Sequence, residues 1–97
     1  MDYEKLKVKE YNLWDLFLHE QQHPYIGRCY VWARRGEAKK VTDMTLAEGA
    51  ELFQTIIPSW DNAIKNLFNH DWPNVAIFGN EAPLHLHAHL IPRYNTS

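Results

Sequence analysis

The sequence predicts an α+β domain in which an antiparallel sheet packs against one long helix. Three observations carry that expectation. Residues 12–20 and 28–35 read as strands, residues 45–67 carry an apolar stripe of helical period, and residues 74–93 return to strand patterning. Ninety-seven residues leave room for one domain, residues 1–97, with a modest core.

Taken in order, residues 1–11, "MDYEKLKVKEY", form a charged lead-in. In "NLWDLFLHE" (12–20), Trp14, Leu16 and Leu18 alternate with Asp15, Phe17 and His19, the pattern of a half-buried strand. "QQHPYIG" (21–27) holds Pro24 and Gly27 and predicts a connecting loop. "RCYVWARR" (28–35) is β-branched and aromatic, so the two strands are expected to pair as an antiparallel hairpin. After the polar "GEAKKVTDM", Thr45 and Glu48 have the spacing of a capping box. Leu46, Ala50, Phe53, Ile57, Trp60, Ile64 and Leu67 then step by threes and fours along what should be the buried helix face. Pro58 removes a backbone donor and predicts a kink near residues 54–58. "HDWP" (70–73) ends the helix, "NVAIFGN" (74–80) reads as a third strand and "LHLHAHLIPR" (84–93) as a fourth.

Composition narrows the function classes. Hydrophobic residues make up 45% of the chain and charged residues 23%, which fits a folded domain and not a disordered one. A formal net charge of −2 gives no general attraction to nucleic acid or an anionic membrane. There is no apolar run near the length of a membrane span and no signal peptide, so a cytoplasmic protein is expected. The single cysteine, Cys29, excludes an internal disulfide framework and reads as a small buried hydrophobe. No cofactor is called for.

The chemistry concentrates in "LHLHAHL" (84–90). On a strand, Leu84, Leu86, Ala88 and Leu90 take one face while His85, His87 and His89 line the other, about 6–7 Å apart. A solvated strip would more naturally use Lys, Glu or Thr. A metal site is a second possibility, but His85 and His89 would lie roughly 13 Å apart, too far to share one ion. Such a site would need further ligands from His19, His23, His70 or acidic residues. The third possibility is covalent catalysis, because a neutral imidazole nitrogen is a competent nucleophile. His87, with an imidazole on either side, is then the natural nucleophile, and charged phosphoryl oxygens suit the flanking donors.

"HLHAHLI" (85–91) also resembles the His-x-His-x-His-x-x signature of the histidine triad (HIT) superfamily, and the following "PR" resembles its dinucleoside polyphosphate hydrolase branch. "FLHEQQHPYIGRCYVWARR", the helix, "NVAIFGN" and the triad strand agree with that family in order over residues 12–94. The resemblance implies a homodimer that binds nucleotides and cleaves at the α-phosphate of a dinucleoside polyphosphate or nucleoside phosphoramidate. His87 would be the nucleophile, with His85 and His89 orienting it and contacting phosphate. Glu20 falls where members place an acid or amide against the ribose hydroxyls, and Asn80 near a strand-end asparagine of the site. Each also has a plainer reading, as a solvated carboxylate and a turn residue. Arg28 stands where many members carry a further histidine; it is either a phosphate ligand or a sheet-surface residue. Arg93 is either a phosphate ligand or half of a cross-sheet ion pair.

Two further departures from the family pattern stand out. "NEAPL" (80–84) replaces a common Gly-Gln-Ser/Thr donor stretch, with Glu81 bringing negative charge near phosphate. Related proteins usually continue past the triad strand with a segment that helps finish the pocket, so activity is expected to be weak unless a partner covers it. The uridylyltransferase branch usually has glutamine at the third position, and His89 therefore favours a hydrolase. A nucleotide-binding module with little catalysis is the alternative, and a histidine-based metal-binding protein a more distant one.

Overall fold

Strand patterning on both sides of the helix resolves into one five-stranded antiparallel sheet. The computed structural model of the chain describes residues 3–79 and 84–95. The strands are β1 (Lys7–Glu10), β2 (Trp14–Leu18), β3 (Cys29–Ala33), β4 (Trp72–Phe78) and β5 (His87–Arg93). Their spatial order is β1-β2-β3-β5-β4, so the triad strand β5 lies between β3 and β4.

The charged lead-in carries structure of its own. Tyr3–Leu6 form a 3-10 turn and β1 adds an edge strand to β2. Its polar "KVKE" gives no alternation signal because neither face of this strand is buried. Exposed charges such as Lys9 and Glu10 are what an edge strand needs to resist pairing with another chain. β4 begins at Trp72, two residues before the expected start, and tolerates Pro73 because β4 is also an edge strand.

The helical rod comprises α1 (Leu46–Ala50), a π-helical stretch over Glu51–Ile56, and α2 (Ile57–Phe68). The capping box at its start is made: Glu48 N–H donates to Thr45 Oγ1 at 3.1 Å and Thr45 N–H donates to Glu48 Oε1 at 2.8 Å. The expected buried stripe coincides with the buried face only at Trp60 and Ile64. Glu48, Leu52, Ile56, Trp60 and Ile64 face the sheet, whereas Leu46 is 94% exposed, Phe53 51% and Leu67 70%. The reason is the π stretch, in which Ile57 N–H reaches back five residues to Leu52 O. Wider turns favour residues spaced strictly by four, and the helical stripe of mixed threes and fours rotates away from the core. The irregularity expected at residues 54–58 is thus taken up just ahead of Pro58. Asn69 closes the rod in the left-handed region, with φ 55°.

Two ties hold the rod to the sheet. Trp14 is fully buried and its Nε1–H donates to Glu48 O at 2.9 Å. The Glu48 carboxylate, 1% exposed as a residue, accepts from Arg35 Nε at 3.1 Å and Nη2 at 3.0 Å. Around these ties, Val31, Leu52, Ile56, Leu86, Ala88 and Leu90 are all fully buried. Gly27 is fixed for two reasons: its φ is +101°, and a Cβ there would lie 2.8 Å from Ile64 Cγ2.

Candidate active site

Leucine and alanine turn one face of β5 into core, and this orients the other face. Leu86, Ala88 and Leu90 are fully buried against the helix, so His87 and His89 project to the opposite side. His85 lies just before the strand rather than on it. Antiparallel register then sets the neighbours. His87 stands between Trp32 on β3 and Phe78 on β4, and His89 between Tyr30 and Ala76.

Two hydrogen bonds decide what the triad can do. His87 Nδ1 lies 2.8 Å from His85 O. A carbonyl oxygen only accepts, so Nδ1 carries the proton and Nε2 of the neutral ring keeps its lone pair. His85 Nε2 in turn donates to Ala33 O at 2.6 Å. The middle histidine is therefore a bare-nitrogen base or nucleophile, aligned through the backbone of the first.

The rings below complete the setting. Trp32 stacks on His85 with centroids 4.5 Å apart and planes 15° apart, and lies 5.6 Å and 25° from His87. Tyr30 stacks on Phe17 at 5.0 Å. Phe17, His19, Glu20, Tyr30, Trp32, His87 and His89 line an open cleft of about 510 Å³.

His89 is held neutral. Burial first, then the nearby His87, Arg28 and His19, depress its pKa to about 4. Its Nδ1 is buried without a hydrogen-bond partner among the described residues. His19 is depressed too, by burial and then by the Arg28 charge. Its Nδ1 accepts from Gln21 N–H at 3.0 Å, which leaves Nε2–H as the donor of the neutral ring. His19 lies 5.8 Å from His89 between ring centroids. Sequence reasoning assigned His19 no role except as a spare metal ligand. The available signal was its place at the end of β2, on the same face as Phe17.

The remaining site candidates separate clearly. Glu20 lines the cleft and is exposed. Arg28 lies beside the histidines, with its Nε buried and without a hydrogen-bond partner among the described residues. Arg93 is elsewhere: it donates to Asn74 Oδ1 at 2.7 Å, covers the Tyr25 ring at 4.6 Å and is not among the cleft residues. At four residues beyond His89 it is roughly 13 Å along the strand, which explains the separation. Asn80, with Glu81, lies outside the described residues.

Among the described residues, no three His, Cys, Asp or Glu side chains are placed to hold a metal ion. Cys29 is buried, its thiol pushed up to about 12 by desolvation, which makes it a poor nucleophile. His70 is buried at the end of the rod and pairs with Asp61 at 2.6 Å. No described helix is long and apolar enough to cross a membrane.

No protein-family model matches the chain, and no curated protein does. Solved structures do. A HIT family protein from Bacillus anthracis superposes with TM-score 0.76 and 28% identity over 93% of this chain and 64% of that one. A histidine triad protein from Bradyrhizobium japonicum gives TM-score 0.76 and 24% identity over 96% and 68%. A histidine triad protein from Marinobacter aquaeolei gives 0.67 and 25% over 97% and 69%. The chain spans about two-thirds of the length of these neighbours.

Proposed function

We propose, from the premise that this chain belongs to the histidine triad superfamily, that it is a nucleotide hydrolase acting through a nucleotidyl-His87 intermediate. The observation that carries the proposal is the bond from His87 Nδ1–H to His85 O, which leaves Nε2 bare on the cleft side of the strand. In the first step that lone pair attacks the α-phosphorus. An N–P bond forms while the bond from phosphorus to the leaving oxygen or nitrogen breaks, and the leaving atom departs with its electron pair and takes up a proton from solvent. In the second step a water oxygen attacks phosphorus, the N–P pair returns to Nε2 and the water proton passes to solvent. The product is a nucleoside monophosphate.

The surroundings support this reading. Arg28 supplies positive charge next to His89, with a buried Nε–H lacking a hydrogen-bond partner among the described residues, and a phosphate oxygen would satisfy it. Glu20 at the cleft edge suits ribose hydroxyls as an acceptor. The substrate class is a dinucleoside polyphosphate or a nucleoside phosphoramidate. The partner is a second copy of the chain, an assignment supported by β4, whose outer edge is unpaired among the described residues and carries Trp72 at 70% exposure. Incubation with an adenosine phosphoramidate should release AMP in the wild type and not in His87→Ala. Tight AMP binding without turnover in the wild type would instead favour a binding module.

A further inference from the structure

Trp32 is the side chain in closest parallel contact with the triad, and no step of the proposed reaction uses it. Its indole stacks on His85 at 4.5 Å with planes 15° apart and lies 5.6 Å from His87 at 25°. His85 precedes β5, so the ladder to β3 does not fix its ring. Two contacts do: the bond to Ala33 O, the residue after Trp32, and the indole face itself. The carbonyl of His85 then sets the proton of His87. That carbonyl is held by the backbone, since the Leu86 N–H of the same peptide unit donates to Ala38 O at 3.0 Å and Leu86 O accepts from Ala33 N–H at 3.1 Å, so what Trp32 places is the His85 ring.

The electrostatics point the same way. When Nε2 bonds to phosphorus while Nδ1 keeps its proton, the His87 ring becomes a cation. An aromatic face within about 6 Å of a cation attracts it, and tryptophan does so most strongly. Attack requires an uncharged ring there, so this attraction favours the intermediate over the state that attacks.

We infer that Trp32 is a positioning residue of the triad, seating the His85 ring and lying against the positive charge His87 gains on taking phosphate. This rests on the hydrolase reading for the charge, but the seating is independent of substrate. The two are separated by measuring the ring tautomer of His85 by nitrogen NMR without substrate, alongside kcat and KM for an adenosine phosphoramidate. Trp32→Leu is expected to lose the Nε2–H preference of His85 and to lower kcat on the order of ten-fold, the scale of a partly desolvated cation–π contact, with KM changed less than about two-fold. Trp32→Phe should retain the tautomer and most of kcat.

Fluorinated tryptophans, which thin the ring's electron density while keeping its shape, provide a series that does not depend on a substitution folding. kcat should fall with fluorine number, since Trp14, Trp60 and Trp72 lie outside the cleft. An unchanged tautomer in a folded Trp32→Leu, or a flat fluorination series, overturns the inference. Absence of any His87 adduct in the wild type overturns the hydrolase reading instead and leaves the tautomer result standing.

Discussion

Replacing Glu48 by alanine should unfasten the helix from the hairpin. The carboxylate accepts from Arg35 Nε at 3.1 Å, Arg35 Nη2 at 3.0 Å and Thr45 N–H at 2.8 Å. Breaking a fully buried ion pair costs about 3–5 kcal/mol. The Arg35 side chain is 34% exposed and keeps its bond to Asp43 O, so solvent recovers part of that, leaving about 2–3 kcal/mol. For a domain of this size, that lowers Tm by roughly 10–20 °C. Glu48→Gln retains an oxygen for Thr45 and should cost about half as much. The pH dependence has a definite sign. Arg35 holds the Glu48 carboxyl below its ordinary value of 4.5, so the pair's contribution is complete above 4.5 and disappears as pH falls through the folded-state value. The stability gap between wild type and Glu48→Gln, from denaturant titrations between pH 7 and pH 3, should therefore close in acid. A Glu48→Ala protein within about 0.5 kcal/mol of wild type would refute the reasoning, as would a gap that stays constant with pH.

Three further outcomes follow from the site and its supports. His89 is depressed to about 4 while the unfolded chain titrates near 6.5, so wild-type stability should fall as pH drops from 6.5 to 4. His89→Gln should flatten that slope, and parallel slopes would contradict the assignment. Arg28→Met should weaken AMP binding about 10- to 100-fold in calorimetry and leave adenosine binding unchanged, the scale of a charge-assisted hydrogen bond. Equal losses for the two ligands would place Arg28 away from phosphate. Gly27→Ala meets both a positive φ and Ile64 at 2.8 Å, and should cost about 1–3 kcal/mol by chemical denaturation. A shift below about 0.5 kcal/mol would show that the loop relaxes freely.

Much of this architecture is legible in the sequence wherever a period or a cap carries it. The hairpin of β2 and β3, the Thr45–Glu48 box and the inward row Leu86, Ala88, Leu90 all follow from local pattern. β1 escaped because an edge strand has no need to bury alternate residues. The helix face was placed correctly at Trp60 and Ile64 and misplaced elsewhere because a π stretch changes the period, and nothing in "ELFQTI" announces one. Around the triad, the spacing of the histidines places His87 between two others, but the tautomer that leaves its Nε2 bare depends on a backbone carbonyl. His19 and Trp32 come to the triad only through strand register, which pairs Trp32 with His87 and Tyr30 with His89. Arg93 lies in the same motif run yet turns to Asn74, a partner that only the β4–β5 register brings near.

The most direct test of the account is to trap the intermediate. Wild-type protein mixed with an adenosine phosphoramidate, quenched in mild base and weighed intact, should gain one adenylyl group, with the label mapping to His87 after proteolysis and absent from His87→Ala. Turnover that persists in His87→Ala, or an adduct on any other residue, would contradict it.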